Sequence, residues 1–382
     1  MFGWVLYRLG LPPYIYGAGL NLFSNPLLSF FMHRLGAYTV DRKKRAPLYK
    51  EVLKEYATVT LELGYDNLFF PGGTRSRSGA VERHLKLGLL GCGLRAYVNN
   101  LRNRIAEPRI YVVPCTMSYQ LTLEAENLID DFLKETGKAR YIIEDDEFSQ
   151  PRRVLQFLSS LFSLESKIYV TFSRPLDVFG NEVDEEGTSH DRRGRPVDIT
   201  RYVTVDGEPR HVRQRDEEYT RELGESVSRA YYRDNVILST HLVAFAVFER
   251  LRRENPKTDL YRLLRTGGEA ENLPLRDVVA DVERLLEAVR GKAAKDEVRV
   301  DDRVARLDAE RLVADALTTF ACYHTRPALE RRGDRVWPAD MNLLFFYHNR
   351  LTGYGLGDAP PEQASPRYAE LVAAPTAGPF KP

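Results

Sequence analysis

The chain has 382 residues, 43% of them hydrophobic and 29% charged, with a formal net charge of +1. That length supports one large domain or two coupled ones, and the near-neutral balance excludes a dedicated nucleic-acid binder, whose domain would be strongly basic. Cys92, Cys115 and Cys322 are too few and too scattered for a disulfide framework or a zinc site, which points to a reducing compartment.

Met1 to Val40 is rich in bulky apolar residues, but Pro12, Pro13, Asn21, Asn25 and Pro26 interrupt it. It falls short of the roughly eighteen uninterrupted apolar residues of a spanning helix. It also lacks the positive start and small-residue cleavage site of a signal peptide. Leu27-Leu28-Ser29-Phe30-Phe31-Met32 reads either as a surface that dips into a bilayer interface or as a face packed on the core.

The apolar runs Ala37–Val40, Asn67–Phe70, Ile110–Val113 and Ile168–Phe172 predict buried strands. Pro47 suits a first helical position, and Leu48, Val52, Tyr56, Val59 and Leu63 then recur at helical spacing until Gly64. A second helix carries Leu87, Leu90, Leu94 and Val98 along one face. Strands alternating with helices predict an α/β fold, a mainly parallel sheet flanked by helices, with a C-terminal helical region.

From Asp177 to about Arg215 the composition turns polar. Arg201–Val205, Asp206-Gly207 and His211–Val212 predict a short hairpin. Beyond Tyr219 the pattern is helical: Leu275, Val278, Val282, Leu285 and Val289 mark one amphipathic helix, and Val304, Leu307, Leu312 and Ala316 another. The expected division is an α/β core over 1–176, a polar arm over 177–218, a helical region over 219–358 and a flexible tail over 359–382. There is no internal repeat.

The most informative run is Phe70-Pro71-Gly72-Gly73-Thr74-Arg75-Ser76-Arg77-Ser78-Gly79, set between an apolar strand and a helix. Glycines let backbone N–H groups approach a ligand, and a helix start carries partial positive charge. Arginine adds bidentate recognition of phosphate oxygens. The run therefore reads as a phosphate cradle, with Arg75 and Arg77 as principal cations. Gly72, Gly73, Thr74 and Ser76 supply amides and hydroxyls, and Lys86 adds charge at the next helix. Gly36-Ala37-Tyr38-Thr39-Val40-Asp41-Arg42 ends a strand in a basic cluster that continues through Lys43-Lys44-Arg45. It would place Arg42 at the carboxyl end of the sheet, where α/β proteins keep their sites. Val112-Val113-Pro114 is a strand running into a proline.

These three stretches resemble, in order, the second, third and fourth blocks of the glycerolipid acyltransferase family: Gly36–Arg42, Asp66–Gly79 and Val112–Pro114. The likeness is to the glycerol-3-phosphate acyltransferase branch and is close from about Trp4 to Gln120, with Leu11-Pro12-Pro13 through Leu22 resembling the segment before the second block. Farther on it is looser, through Phe172-Ser173-Arg174-Pro175-Leu176 and the helices from Glu222. The resemblance implies transfer of a fatty acyl group from a thioester of coenzyme A or acyl carrier protein to a glycerol-phosphate hydroxyl. Arg42, Arg75 and Arg77 would hold the acceptor's phosphate, with Pro114 in the fourth block. It implies no cofactor and no metal, and a peripheral place on the cytoplasmic face of a membrane in phospholipid synthesis.

Two departures qualify the match. The family's first block, His-x4-Asp, supplies the general base, and no such pair precedes the second block: His33 is followed at that spacing by Tyr38, His84 by Leu89. His211 does have Asp216, but after the fourth block in a polar stretch, and among seven histidines one chance match is unsurprising. Aligning Trp4-Val5-Leu6-Tyr7 with the helix after that block puts the missing His about two helical turns before Met1. The expectation is an amino-terminal truncation or a misassigned start codon. Second, Gly72 stands where the third block usually has Glu, and Asp41 where this branch usually has Arg. Those differences leave a 1-acyl-glycerol 3-phosphate or dihydroxyacetone phosphate acceptor as the alternative. A catalytically inactive relative that binds lipid or phosphate is the reading from another class.

Overall fold

In the computed structural model, which describes residues 2–24, 26–41, 44, 46–73, 76–136, 167–268 and 272–357, the chain divides into two units. The first comprises 1–73, 85–114 and 174–228; the second comprises 74–84, 115–173 and 229–382.

The first unit begins with α1 (Phe2–Arg8), β1 (Ile15–Gly19), α2 (Pro26–Arg34), β2 (Ala37–Val40), α3 (Pro47–Glu62), β3 (Asn67–Leu68) and α4 (Leu87–Arg102). The three strands form a parallel sheet in the order β2-β1-β3, with Tyr16 opposite Ala37 and Ile15 opposite Asn67. Two glycines allow the close approach. A Cβ on Gly17 would lie 2.9 Å from a Val40 methyl, and one on Gly36, at φ +86, would lie 2.5 Å from the Tyr14 carbonyl oxygen. β2 lies to one side of β1 and β3 to the other. With the usual right hand of parallel crossovers, this order predicts α2 and α3 on opposite faces of the sheet.

Pro47 opens α3, and Gly64, at φ +81, follows its end. The helix buries Ala57, Thr58 and Thr60 and pairs with α4 through Glu55–Arg95 (3.1 Å) and Asn99–Glu62 (2.6 Å). Its apolar stripe faces solvent: Leu48 is 76% exposed and Leu63 68%, with Val52, Tyr56 and Val59 between them. α4 is seated more conventionally. Leu90, Leu94 and Val98 are buried, the latter two with Tyr97 in a core completed by Val178, Phe179, Ile199 and Val203.

The polar arm folds onto the same unit. Thr204–Val205 pairs antiparallel with Glu208–Pro209 across Asp206 (φ +52) and Gly207 (φ +82), the signs a tight I′ hairpin requires. The hairpin is shorter than the sequence pattern suggests. Ile110–Val113 is not a regular strand. Only Val112 bridges, exchanging two 2.8 Å hydrogen bonds with Leu176, because Pro108 and Pro114 lack the N–H groups that would extend the ladder.

The second unit contains β4 (Cys115–Tyr119), α5 (Ala125–Thr136) and β5 (Ile168–Phe172), the strands pairing antiparallel from Cys115–Phe172 to Tyr119–Ile168. α6 (Arg213–Asp234) starts in the first unit and ends in the second. α7 (Ser239–Glu254), α8 (Leu260–Thr266), α9 (Leu275–Ala294), α10 (Asp302–Arg306), α11 (Ala309–Phe320) and α12 (Met341–His348) follow. The α/β class and the helical carboxyl region stand. The expectation of a mainly parallel sheet holds for β1–β3 but not for the β4–β5 pair or the short antiparallel pairs of the arm.

The core is built around α7, which buries Leu242, Val243, Phe245, Val247, Phe248 and Leu251 against apolar faces of α9, α11 and α12. The stripe expected as one helix through Val304 and Ala316 is two, because the Asp308 carboxylate accepts the Arg311 N–H (2.8 Å) and caps a new start at Ala309. The tail expected from 359 lies outside the described residues. Among the described residues no helix is long and apolar enough to cross a membrane.

Candidate functional site

The glycine–arginine run is shared between the units, 70–73 belonging to the first and 76–79 to the second, so each part is described in its own frame. Arg42, Thr74 and Arg75 lie outside the described residues. After β3 the chain turns sharply, the Gly73 N–H donating to the Phe70 carbonyl at 2.9 Å with φ +74. The Lys86 N–H then donates to the Pro71 carbonyl at 2.7 Å, tying the end of the run to the start of α4.

That bond brings the Lys86 side chain over Gly73. A Cβ at Gly73 would lie 2.5 Å from the Lys86 ammonium nitrogen and 2.6 Å from its Cδ, so the flexible lysine would have to shift, and the φ of +74 favours glycine in its own right. α4 has no acidic residue in its first turn. An ammonium and a left-handed glycine thus meet at one exposed point beside the start of α4, where an anion gains from the charge and the helix end. Gly72 is half-buried beside it. Pro114 is buried at the end of the Val112 segment, where the first unit's chain passes to β4.

In the second unit, residues 76–84 form a fixed turn. Ser76 Oγ donates to the Ala80 carbonyl (2.9 Å), and the Ala80 N–H donates to Ser78 Oγ (3.3 Å). Ala80 and Val81 are buried, and Arg77 is half-buried. Gly79, at φ +80, presses on the Phe346 carbonyl of α12 so closely that any Cβ would collide with it. The Ser78 carbonyl accepts a 2.9 Å hydrogen bond from Asn349 Nδ2. Asn349 Oδ1 lies 3.1 Å from His348 Nδ1, and His348 Nε2 lies 2.9 Å from Glu249 Oε1. Sequence reasoning missed these three residues. The partner of Ser78 is 271 positions away, and no local pattern marks it.

His211 and Asp216 do meet, Nδ1 standing 3.2 Å from Oδ2. The other ring nitrogen is taken, however: Nε2 lies 3.1 Å from Asn99 Oδ1, whose amide is oriented by its bond to Glu62. Asn99 is thirteen positions after Lys86 on α4, about 20 Å along the helix at 1.5 Å per residue. The structure therefore keeps this pair away from the Gly73–Lys86 end of α4. Two other histidines are locked in the second unit's interior. Burial pushes the His241 imidazole down to about 3 and His324 down to about 4. Among the described residues no three His, Cys, Asp or Glu side chains group to hold a metal ion.

Residues 1–118 match the Acyltransferase family model. Glycerol-3-phosphate acyltransferase of Pseudomonas entomophila (strain L48) is 25% identical over 265 residues, 69% of this chain and 28% of that protein. The protein of the same name from Pseudomonas putida (strain W619) is similar to the same extent. That of Pseudomonas syringae pv. tomato is 27% identical over 177 residues, 46% of this chain and 19% of its own length. The chain thus matches less than a third of the length of these curated relatives. The stretches Gly36–Arg42, Asp66–Gly79 and Val112–Pro114 all fall within the matched 118 residues, and these matches support a glycerolipid acyltransferase of the glycerol-3-phosphate acyltransferase-like family.

Proposed function

We propose that the chain acts in transfer of a fatty acyl group from acyl-CoA or acyl carrier protein to glycerol 3-phosphate, a step of phospholipid synthesis. The observation that carries this reading is the Lys86 ammonium seated on Gly73 at the acid-free start of α4, in the run that also bears Arg77. A phosphate there would accept from the helix amides and the ammonium, and Arg77 is the further cation that the same run of sequence offers. Held by its phosphate, the acceptor offers a hydroxyl oxygen that attacks the thioester carbonyl. The C–S bond breaks, the ester forms, and the hydroxyl proton passes through a base to the departing thiolate.

The test is titration of the full chain with glycerol 3-phosphate. Each charge-assisted contact contributes about 1.5–3 kcal/mol, so Arg77→Ala and Lys86→Ala should each weaken binding tenfold or more. Unchanged affinity in both would refute the cradle. Competition by 1-acyl-glycerol 3-phosphate and dihydroxyacetone phosphate identifies the acceptor, a question that Gly72 and Asp41 raise.

Binding without turnover is the second reading, and the geometry at His211 favours it, since Asn99 occupies the Nε2 a base would use. A missing general base typically accounts for a hundred- to ten-thousandfold of rate. On this reading the purified chain should bind acceptor but turn it over at least about a hundredfold more slowly than a relative that carries the His-x4-Asp pair. Robust turnover would overturn this reading and make His211→Ala the decisive variant.

A peripheral membrane site at the cytoplasmic face fits the amino-terminal helices. Trp4 (63% exposed), Phe30 (50%) and Phe31 (52%) face outward, with the Arg8 and Arg34 guanidiniums lying over the Trp4 and Phe30 rings. Flotation with anionic vesicles checks it: Phe30→Asp/Phe31→Asp should leave the chain in the unbound fraction.

A further inference from the structure

The turn that carries Arg77 is anchored by a buried polar chain that the proposed chemistry does not use. Asn349, fully buried, donates from Nδ2 to the carbonyl of Ser78, the residue after Arg77. Its Oδ1 accepts from His348 Nδ1, and His348 is itself fully buried, stacked on Phe245 and Phe345 and tilted against Phe248. The opposite ring nitrogen meets Glu249, which also pairs with Arg252 at 3.0 Å. The Glu249 carboxyl is held down at about 2, chiefly by its bonds to His348 and Arg252 acting against burial. Both imidazole nitrogens thus face acceptors, a carboxylate and an amide oxygen, and both are satisfied only when each carries a proton. With Nδ1–H fixed, the Asn349 amide has one orientation, with its NH₂ toward Ser78. Gly79 closes the grip from the other side by lying against the Phe346 carbonyl.

A buried carboxylate, imidazole and amide in series form an expensive arrangement for holding one backbone carbonyl. Such cost is understandable if the position of the next side chain matters. We propose that Glu249, His348 and Asn349 are positioning residues that fix the backbone at Ser78 so that Arg77 meets the acceptor's phosphate in one geometry. This rests on the reading of Arg77 as a phosphate ligand. The device works by pre-organisation: the loop's entropy is removed on folding, and binding does not have to remove it again.

The experiment is a double-mutant cycle on the full chain, read by glycerol 3-phosphate titration and by hydrogen exchange of residues 77–80. Asn349→Asp keeps the size and the contact to His348 but sets an oxygen against the Ser78 carbonyl. It should speed exchange at 77–80 and weaken binding five- to tenfold, with no further loss when added to Arg77→Ala. Should that variant fail to fold, Gly79→Ala, which forces the turn off Phe346, carries the same expectations. Faster exchange with unchanged affinity, while Arg77→Ala alone weakens binding, would overturn the positioning role and leave the phosphate reading intact. Full additivity of Asn349→Asp and Arg77→Ala would overturn it as well. If Arg77→Ala leaves affinity unchanged, the phosphate reading falls and this proposal falls with it.

Discussion

α3 in the first unit and α7 in the second are both sixteen residues long, and they place their apolar side chains in opposite environments. α7 turns Leu242, Phe245, Phe248 and Leu251 into the main core. α3 buries an alanine and two threonines and shows Leu48, Val52, Tyr56, Val59 and Leu63 to water. Helical periodicity records that one face is apolar; it does not record what lies against that face. An apolar stripe earns its stability only from the neighbour that covers it. By this comparison the second unit's helices carry more of the folding energy than the stripe of α3 does.

The sharpest way to break the comparison is to truncate a matched pair. Phe248→Ala removes a fully buried ring packed on Phe345 and His348 and should cost about 3–5 kcal/mol in denaturant unfolding. An equal loss from Leu48→Ala would contradict the assignment of α3's stripe to solvent. Acid should distinguish the regions next. His324 stays neutral in the folded second unit down to about pH 4, while the unfolded side chain takes a proton below about 6.5. The unfolded state therefore binds more protons in that window, and stability falls as pH drops through it, by on the order of 3 kcal/mol. Unfolding curves at pH 7 and pH 4.5 would show this, and His324→Gln should shrink the difference while leaving the part due to His241, held down at about 3. The smallest effect belongs to α3: Val52→Gln and Val59→Gln should shift stability by no more than about 0.5 kcal/mol.

Much of the fold was legible because certain residues act locally. Pro47 and Gly64 bracket α3, Asp206-Gly207 forces a tight turn, and the Leu275–Val289 stripe marks α9. β1 was not, because Ile15-Tyr16-Gly17-Ala18-Gly19 has the wrong propensity for a strand; its glycines answer to the crowding of β2, which only the packed sheet reveals. Ile110–Val113 has strand propensity, but the prolines at its ends restrict it to a single bridge. The same division holds at the site. The glycine–arginine run announces itself, and the lysine that follows is close enough in sequence to join it. The grip of Asn349 on Ser78 is invisible in the sequence because it depends on where α12 ends.

The order β2-β1-β3 has one more consequence. A sheet three strands wide is a slab with two sides, and a lipid leaflet is a plane that wets only one of them. With the usual right hand of parallel crossovers, that order predicts the α2 phenylalanines on one side and the α3 stripe on the other. A leaflet that took up Phe30 and Phe31 would then leave Leu48 through Leu63 in water.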